Sequence, residues 1–278
     1  MRHVPFNPSN LEDAQKKWWD AWSENAREKT DDYLRRRENG EICTFNAGVW
    51  SDLKAWLLRN VFHGKCAYCE VKVSGGFFGD GEHYRPKGNV TVSEGGRKRR
   101  VALGSGDDHP GYFWLAYDWE NLLPSCARCN NAKSDQFPVA GTYVTAPPPK
   151  TKVLESSEKP LLIHPYFDDP SRYLRFGKAG VVTAIDGNAR GKTTIEVLGL
   201  DREDLMEERW TAQAQALQSM ESEIGRMLTV EDVSDERAAG HMGLQAAFSQ
   251  AVYDWFVERI RMLAARAEAM AQRARGVG

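Results

Sequence analysis

Two Cys-x-x-Cys pairs constrain this chain more than any other feature of its sequence. They are Cys66-Ala-Tyr-Cys69 and Cys126-Ala-Arg-Cys129, and 56 residues separate Cys69 from Cys126. In a reducing compartment such pairs are metal ligands more often than disulfides, and four thiolates suit one tetrahedral Zn²⁺ ion. We therefore expect a structural zinc site, with two buried disulfides or a thiol redox pair as the alternatives.

The long separation between the two pairs indicates where function should lie. The usual four-cysteine zinc pattern has about 15–20 residues between its pairs, so a minimal zinc ribbon is not expected. The zinc ion would instead close the base of a long insertion, and that insertion should carry the function. Four thiolates leave the ion no open coordination position, so this zinc should not be the catalytic metal. The fifth cysteine, Cys43, has no partner in the sequence and is expected in the core.

The charge of the chain is nearly balanced overall but uneven along its length. The 278 residues include 37 Lys and Arg against 39 Asp and Glu, and this net charge of −2 alone gives no reason to expect a polyanionic partner. Residues 83–100 nevertheless carry a net charge of +5, and residues 201–278 a net charge of −5. No apolar run approaches about 18 residues, and the first residues lack the apolar region of a secretory signal. We therefore expect a cytoplasmic protein with no membrane partner.

Hydrophobic periodicity and turn residues divide the chain into four predicted segments. They are N-terminal helices (1–60), the insertion with its metal site (61–139), a linker with short strands and turns (140–200) and a helical C-terminal region (201–278). The predicted helices cover residues 9–39, 51–60, about 201–228 and 235–274. The first helix should begin with a capping box at Ser9 and Glu12. The two C-terminal helices should begin near Asp201. Residues 88–111 are predicted to form a long loop.

Short motifs at the two ends of the insertion carry the chemistry. The entrance, GEHYRPK, contains Glu82 and His83, and the exit, WENLLPSCARCNNAK, contains Asn121, Asn130 and Lys133. In order, in spacing and in their flanking cysteine pairs, these residues resemble the HNH endonuclease family of ββα-metal fold. Asn stands here at the third position of that pattern, an allowed variant because an amide oxygen can still bind a hard cation.

Longer stretches make the resemblance narrower. CAYCE, GYFWLAYDWENLLPSCARCNNAKSDQFP, LLIHPYFDDP and RGKTTIEVLGLDRE are similar to the HNH nucleases of Septu and retron-associated anti-phage systems, the PtuB-like type, over roughly residues 50–210. The resemblance implies an α+β fold, in which N- and C-terminal α-helices surround a small ββα-metal core stapled by the four-cysteine zinc site. It also implies a role in antiviral defence and a PtuA-like ATPase as partner, for which the acidic residues 201–278 are the candidate docking surface.

The resemblance assigns a role to each residue of the motif. His83 would be the general base that deprotonates water, with a pKa near its ordinary value of about 6.5. Glu82 and Asn130 would bind one Mg²⁺ or Mn²⁺ ion through oxygen. Asn121 would hydrogen-bond across the hairpin and fix the loop that bears His83. The candidates for contact with substrate phosphates are Arg85, Lys87 and Lys133.

Other functions explain less of the sequence. A non-catalytic, zinc-stapled binding module for nucleic acid or protein would account for the cysteines but not for the motif residues around them. The segment from Gly187 to Thr193 is similar to a phosphate-binding P-loop, but three residues stand between its glycines where that motif needs four, so ATP binding is not expected. No base-reading motif is present, and DNA, RNA and tRNA all stay open as substrates.

Overall fold

The structure is a computed structural model that describes residues 1–73, 80–147 and 151–228, together with the single positions 254, 257, 258 and 261. Helices alternate with small two-stranded sheets, so the fold is α+β, as expected. The helices are α1 (Asp13–Glu38), α2 (Ala47–Asn60), α3 (Ala127–Lys133), α4 (Thr151–Glu158), α5 (Ala189–Leu198) and α6 (Glu203–Leu228). The strands are β1 (Asp80–His83), β2 (Thr91–Glu94), β3 (Arg97–Arg100), β4 (Leu122–Ser125), β5 (Leu174–Phe176) and β6 (Val182–Ala184).

The chain divides into two compact units. The first comprises Met1–Tyr173 and Ala184–Leu200, and the second comprises Leu174–Thr183 and Asp201–Gly278. The four segments expected from the sequence stay a prediction. No helix within the described ranges is both long and apolar enough to cross a bilayer.

The first two helices pack through aromatic side chains. Trp19 and Trp22 are buried on α1, and Trp56 is buried on α2. The ring centroids of Trp19 and Trp56 lie 5.3 Å apart, and the indole N–H of Trp22 donates to the carbonyl of Val49 at 2.9 Å. These contacts bury the apolar stripe that predicted the helices.

The starts of both helices differ from the prediction. Ser9 lies in a short 3₁₀ turn, and α1 begins at Asp13 without a side-chain hydrogen bond from Glu12, so the predicted capping box is wrong. Helix α2 begins at Ala47, four residues earlier than expected, because the side-chain oxygen of Asn46 accepts from the backbone N–H of Gly48 at 3.0 Å.

A strand pair followed at once by a helix positions the predicted site residues. Strand β1 pairs antiparallel with β4, with Glu82 opposite Leu123 and His83 opposite Leu122. Helix α3 begins two residues after β4 ends, and Cys126 is its N-cap. The two ends of the long insertion therefore meet in one small unit.

Residues 88–111 are not the long loop that was predicted. Strands β2 and β3 form an antiparallel hairpin there, with Glu94 opposite Arg97 and Thr91 opposite Arg100. Gly95 and Gly96 join the strands with φ values of +57° and +77°. Two successive positive φ angles are what a tight two-residue hairpin turn requires, and glycine adopts them at little cost.

Helices also replace part of the linker and turns predicted over 140–200. Residues 148–150 lie outside the described residues, but α4 follows them directly. Helix α5 begins after Asn188, whose side-chain oxygen accepts from the N–H groups of Arg190 and Gly191, and it ends at Gly199 in the left-handed conformation. The P-loop-like segment is therefore the capped start of a helix.

The second unit is described mainly through α6. This helix begins at Glu203, two residues after the predicted N-cap Asp201, and the structure describes it as far as Leu228. Arg209 is fully buried on it and donates to the carbonyl of Gly180 at 3.3 Å. The predicted last helix, 235–274, lies outside the described residues except at four isolated positions.

Candidate metal centre and active site

The four cysteines of the two pairs come together in space. Their sulfur atoms all lie within 4.8 Å of one another, and the Sγ atoms of Cys69 and Cys126 are 3.6 Å apart. None of the four forms a disulfide. A tetrahedral zinc with Zn–S bonds of about 2.3 Å would place its sulfurs about 3.8 Å apart. The donor set therefore fits, and the cluster could hold a metal such as zinc.

Backbone contacts explain why the two pairs meet. The N–H of Ala67, inside the first pair, donates to the carbonyl of Pro124 on β4 at 2.8 Å. The second pair occupies the start of α3, where the N–H of Cys129 points at the sulfur of Cys126. Cys43 lies outside the cluster and is half-buried, so it is not the core residue that was expected.

A polar cleft of about 410 Å³ opens beside β1 and α3. Of the residues predicted from the sequence, Glu82, His83, Lys87 and Asn130 line it together. Several other lining residues were not predicted from the sequence, namely Phe45, Asn89, Asn131 and Asp135. Asp135 stands two residues after Lys133 in the motif-bearing stretch, so its position was the signal that could have selected it.

The imidazole of His83 is held in one tautomer. It is 7% exposed, and its Nε2 lies 3.0 Å from the carbonyl oxygen of Ala116. Because a carbonyl can only accept, Nε2 carries the hydrogen, and Nδ1 keeps a free lone pair in the neutral ring. Burial lowers the pKa of His83 to about 3, and the nearby charge of Lys87 acts in the same direction. The expected pKa near 6.5 is therefore wrong for this environment.

The carboxylate of Glu82 is paired with a lysine inside the protein. Glu82 is 4% exposed, and its Oε1 lies 2.5 Å from the ammonium of Lys133, which is 0% exposed. The same ammonium donates to the carbonyl of His83 at 2.8 Å. Burial raises the pKa of Glu82, and the positive charge of Lys133 opposes that rise. The predicted phosphate contact of Lys133 is wrong, because its side chain is buried and committed to β1.

Arg85 is also buried rather than available to a phosphate, so its predicted phosphate contact is wrong as well. Its Nε donates to Glu158 at 3.0 Å, and its Nη2 donates to Glu155 at 2.8 Å. Both acceptors lie on α4, 70 and 73 residues further along the chain. Burial alone would lower the pKa of Arg85, but Tyr84 and the carboxylates of Glu155 and Glu158 leave that pKa raised.

Asn121 bridges two segments next to His83. Its Oδ1 accepts from the N–H of Arg85 at 2.7 Å, and its Nδ2 donates to the carbonyls of Arg85 and Leu115 at 3.0 and 3.1 Å. Leu115 directly precedes Ala116, the residue whose carbonyl accepts from His83. One buried amide thus ties the strand that bears His83 to the segment that orients its ring.

Lys87 differs from the other two basic candidates because it reaches the cleft. Its ammonium lies 4.9 Å from the ring centroid of Trp50, and burial lowers its pKa. In the part of the chain that the structure describes, no carboxylate lies within 4.0 Å of this ammonium. Lys87 therefore stays a candidate for binding a phosphate.

Within the described ranges, the cysteine cluster is the one group of three or more Cys, His, Asp or Glu ligand atoms gathered tightly enough for a metal. The cleft offers a looser set of oxygen donors, the side chains of Glu82, Asn130 and Asp135. Such a set fits Mg²⁺, because this ion usually keeps several waters and binds through one or two carboxylates plus substrate phosphate.

Comparison with known proteins found relatives over about half of the chain. It is 39% identical over 154 residues to the Septu protein PtuB of Bacillus mycoides (strain KBAB4), which covers 55% of this chain and 48% of the relative. It is 32% identical over 154 residues to the Septu protein PtuA of the same strain, 55% of this chain and 20% of the relative. A third relative, the Septu protein PtuB of Bacillus thuringiensis, is 28% identical over 149 residues, 53% of this chain and 40% of the relative.

The chain is a homologue of Septu proteins. It spans less than half the length of each of these relatives. No family model matches the chain, and no solved structure matches it.

Proposed function

We propose that this chain is a metal-dependent HNH endonuclease that hydrolyses phosphodiester bonds in nucleic acid, as the nuclease of a Septu-type anti-phage defence system. The observation that carries the proposal is one cleft beside β1 and α3 that contains Glu82, His83 and Asn130, with β1 paired to β4 directly before α3. The strand–strand–helix order is the arrangement that the resemblance implies for the ββα core. The Septu relatives support the defence role.

His83 acts as the general base in this proposal. Its Nδ1 takes a proton from the attacking water, while the carbonyl of Ala116 holds Nε2–H and keeps the ring in place. Asn121 is a positioning residue, because it fixes both the strand that bears His83 and the segment that bears Ala116.

Glu82 and Asn130 would hold the catalytic Mg²⁺ or Mn²⁺ ion, and Asp135 is a further carboxylate on the same cleft. The ion, when bound, polarises the phosphate and stabilises the leaving oxygen. Lys133 orients the Glu82 carboxylate through the buried ion pair, and its positive charge opposes the rise in the pKa of Glu82 that burial causes. The four cysteines hold the structural zinc and tie the turn before β1 to the start of α3.

Positive charge on two sides of the cleft would attract the phosphate backbone. Lys87 lines the cleft itself, and β3 carries a run of exposed basic residues, Arg97, Lys98, Arg99 and Arg100. The hairpin adjoins the cleft, because β2 follows the lining residue Asn89 and Lys98 donates to the carbonyl of Ala132 on α3 at 3.2 Å. Such attraction should weaken as salt rises.

A cleavage assay on the full chain tests the proposal. The wild type is incubated with plasmid DNA, single-stranded DNA and tRNA, with Mg²⁺, Mn²⁺ or neither, and is compared with His83→Ala. Loss of a general base should lower the cleavage rate by about 10²–10⁴-fold. The matched control is His63→Asn, since His63 lies outside the cleft and has a positive φ that Asn tolerates.

The controls separate the nuclease from a zinc-stapled binding module. All three proteins should contain about one zinc per chain, because none of the changes touches the cysteines. Retained cleavage by His83→Ala would refute the role of this histidine, and absence of cleavage by the wild type under every condition would refute the nuclease. Each reaction is also run with a PtuA-like ATPase, which the PtuA and PtuB relatives support as the partner; an unchanged rate would argue against that partner.

A further inference from the structure

One aromatic ring interrupts the polar wall of the cleft. Phe45 lies in the turn before α2 and lines the cleft together with charged and amide side chains. Phe45 has no role in the proposed hydrolysis, because a phenyl ring neither transfers a proton nor binds a metal ion. Phe45 and Pro86 are the apolar side chains of a mostly polar lining, and the ring of Phe45 offers an apolar ligand face a flat surface to contact.

Phe45 is held rigidly by three other aromatic side chains. Its ring stacks on Tyr33, with centroids 4.5 Å apart and planes at 4°. Trp50 and Tyr117 contact it edge-on, at 6.1 and 6.2 Å. The hydroxyl of Tyr117 also accepts from the N–H of Asn46 at 2.6 Å, which fixes the backbone next to Phe45. We call the four rings of Tyr33, Phe45, Trp50 and Tyr117 the aromatic shelf.

The aromatic shelf reaches the catalytic imidazole. Trp50 lies edge-on to His83, with centroids 5.1 Å apart. It packs so closely on β1 that a Cβ atom at Gly81 would lie 3.0 Å from its Cδ1. A ligand against Phe45 would therefore occupy the same cleft as the reacting phosphate.

A cation stands beside the shelf. The ammonium of Lys87 lies 4.9 Å from the centroid of Trp50 and 6.0 Å from that of Phe45. An aromatic ring and an ammonium this close together match the two parts of a nucleotide, its base and its phosphate. Asn89 and Asn131 on the same cleft add amide donors and acceptors for a base edge.

We infer that the aromatic shelf binds an unpaired base, with Lys87 on an adjacent phosphate, so that the substrate is single-stranded where it is cut. This rests on the proposed nuclease function and names its substrate class. In a duplex the faces of the bases are covered by their neighbours, so a base reaches Phe45 only from a single strand or a loop. Stacking is insensitive to base identity, which agrees with the absence of a base-reading motif.

Binding to labelled oligonucleotides tests the inference. Dissociation constants are measured by fluorescence anisotropy for one sequence as single-stranded DNA, single-stranded RNA and duplex DNA, in buffer without added Mg²⁺ or Mn²⁺ so that the strands stay intact. The wild type should bind single strands more tightly than the duplex. Phe45→Leu should weaken single-strand binding about tenfold and leave duplex binding unchanged, since one stacked base contributes about 1–3 kcal/mol.

Three further variants make the result specific. Phe45→Tyr keeps a flat ring and should bind like the wild type, and Phe167→Leu removes an exposed phenylalanine outside the cleft and should change nothing. Lys87→Gln should weaken single-strand and duplex binding alike. It should also reduce the number of counterions released on binding, measured from the salt dependence of the dissociation constant, by about one. The DNA and RNA arms show whether the 2′-hydroxyl matters.

The outcomes distinguish this inference from the nuclease itself. Tighter binding of the duplex by the wild type, or an equal effect of Phe45→Leu on both forms, would overturn the inference while leaving cleavage to be judged by its own assay. Failure of the wild type to cut any substrate would instead refute the nuclease, whatever Phe45 does in binding.

Discussion

Lys133 shows how burial changes the role of a charged residue. Its place three residues after Asn130 suggested a contact with substrate, yet its ammonium lies inside the protein between Glu82 and the carbonyl of His83. A buried ion pair offsets the cost of removing both charges from water only while both partners are present. Lys133 therefore belongs to the framework that holds β1 against α3.

Replacing Lys133 with methionine should destabilise the protein strongly. The change leaves the Glu82 carboxylate buried without its cation, which costs about 3–5 kcal/mol of unfolding free energy. Urea denaturation of the full chain measures the loss. The double variant Glu82→Gln/Lys133→Met removes both charges and should recover part of the stability, so the double-mutant cycle gives the coupling between the two residues.

Lys98→Met is the matched control, because Lys98 is exposed and its ammonium donates to a carbonyl on α3. Its effect should stay within about 0.5 kcal/mol, as for most surface substitutions. Equal losses for Lys133→Met and Lys98→Met would show that the buried pair contributes nothing specific.

At the scale of elements, α4 supports the strand that bears His83. Glu158 is fully buried at the end of this helix, where it accepts from Arg85, from the hydroxyl of Tyr112 and from the N–H of Val144. The end of this helix packs against residues 140–142. A Cβ atom at Gly141 would lie only 2.0 Å from the carbonyl of Ser157. A helix outside the predicted catalytic segment therefore fixes a position two residues from the proposed base.

The two carboxylates that bind Arg85 should contribute very differently to stability. The Glu158 side chain is 0% exposed and that of Glu155 is 47% exposed. Glu158→Gln leaves a buried guanidinium without its buried counter-ion and should cost about 3–5 kcal/mol, whereas Glu155→Gln should cost under about 1 kcal/mol. Urea unfolding of the two variants at one pH makes the comparison, and similar losses would contradict the assigned role of α4.

The sequence predicted what depends on neighbours along the chain and missed what depends on distant contacts. Local spacing was sufficient to group the four cysteines, because each pair lies in one turn. The burial of Arg85 could not be predicted, since its partner Glu158 lies 73 residues away on a helix that the Pro-rich composition concealed. The Gly95–Gly96 turn was a local signal for the β2–β3 hairpin that the surrounding glycine and charge obscured.

At the scale of the whole molecule, the net charge of −2 says little about partners. Four exposed basic residues follow one another on β3, and Lys87 lies in the cleft. An average over 278 residues hides this local concentration, and it is the local field that a phosphate backbone meets. The charge balance should therefore be judged surface by surface.

The stability of the protein should fall as pH drops below about 6.5, because His164 is buried in its neutral form. Its Nδ1 accepts from the N–H of Tyr166 at 3.2 Å, so Nε2 carries the hydrogen and donates to the carbonyl of Glu120 at 2.9 Å. Burial, helped by Arg85 and Arg190 and opposed by the hydrogen bond to Glu120 and by Asp168, lowers the pKa of His164 to about 3. The unfolded chain, with a histidine pKa of about 6.5, therefore binds a proton that the folded chain does not.

This difference gives a stability contribution that is complete above the unfolded pKa and is lost as pH falls toward the folded pKa. Between about pH 7.5 and pH 5.5, His164 should remove about 1.4 kcal/mol from the free energy of unfolding. His164→Gln cannot titrate but can still donate to Glu120. We expect this variant to be less stable than the wild type at pH 7.5. Between pH 7.5 and pH 5.5 it should lose about 1.4 kcal/mol less unfolding free energy than the wild type. Urea unfolding at both pH values, on proteins with matched zinc content, measures the two slopes. Parallel slopes would show that His164 takes up its proton in the folded protein as readily as in the unfolded chain.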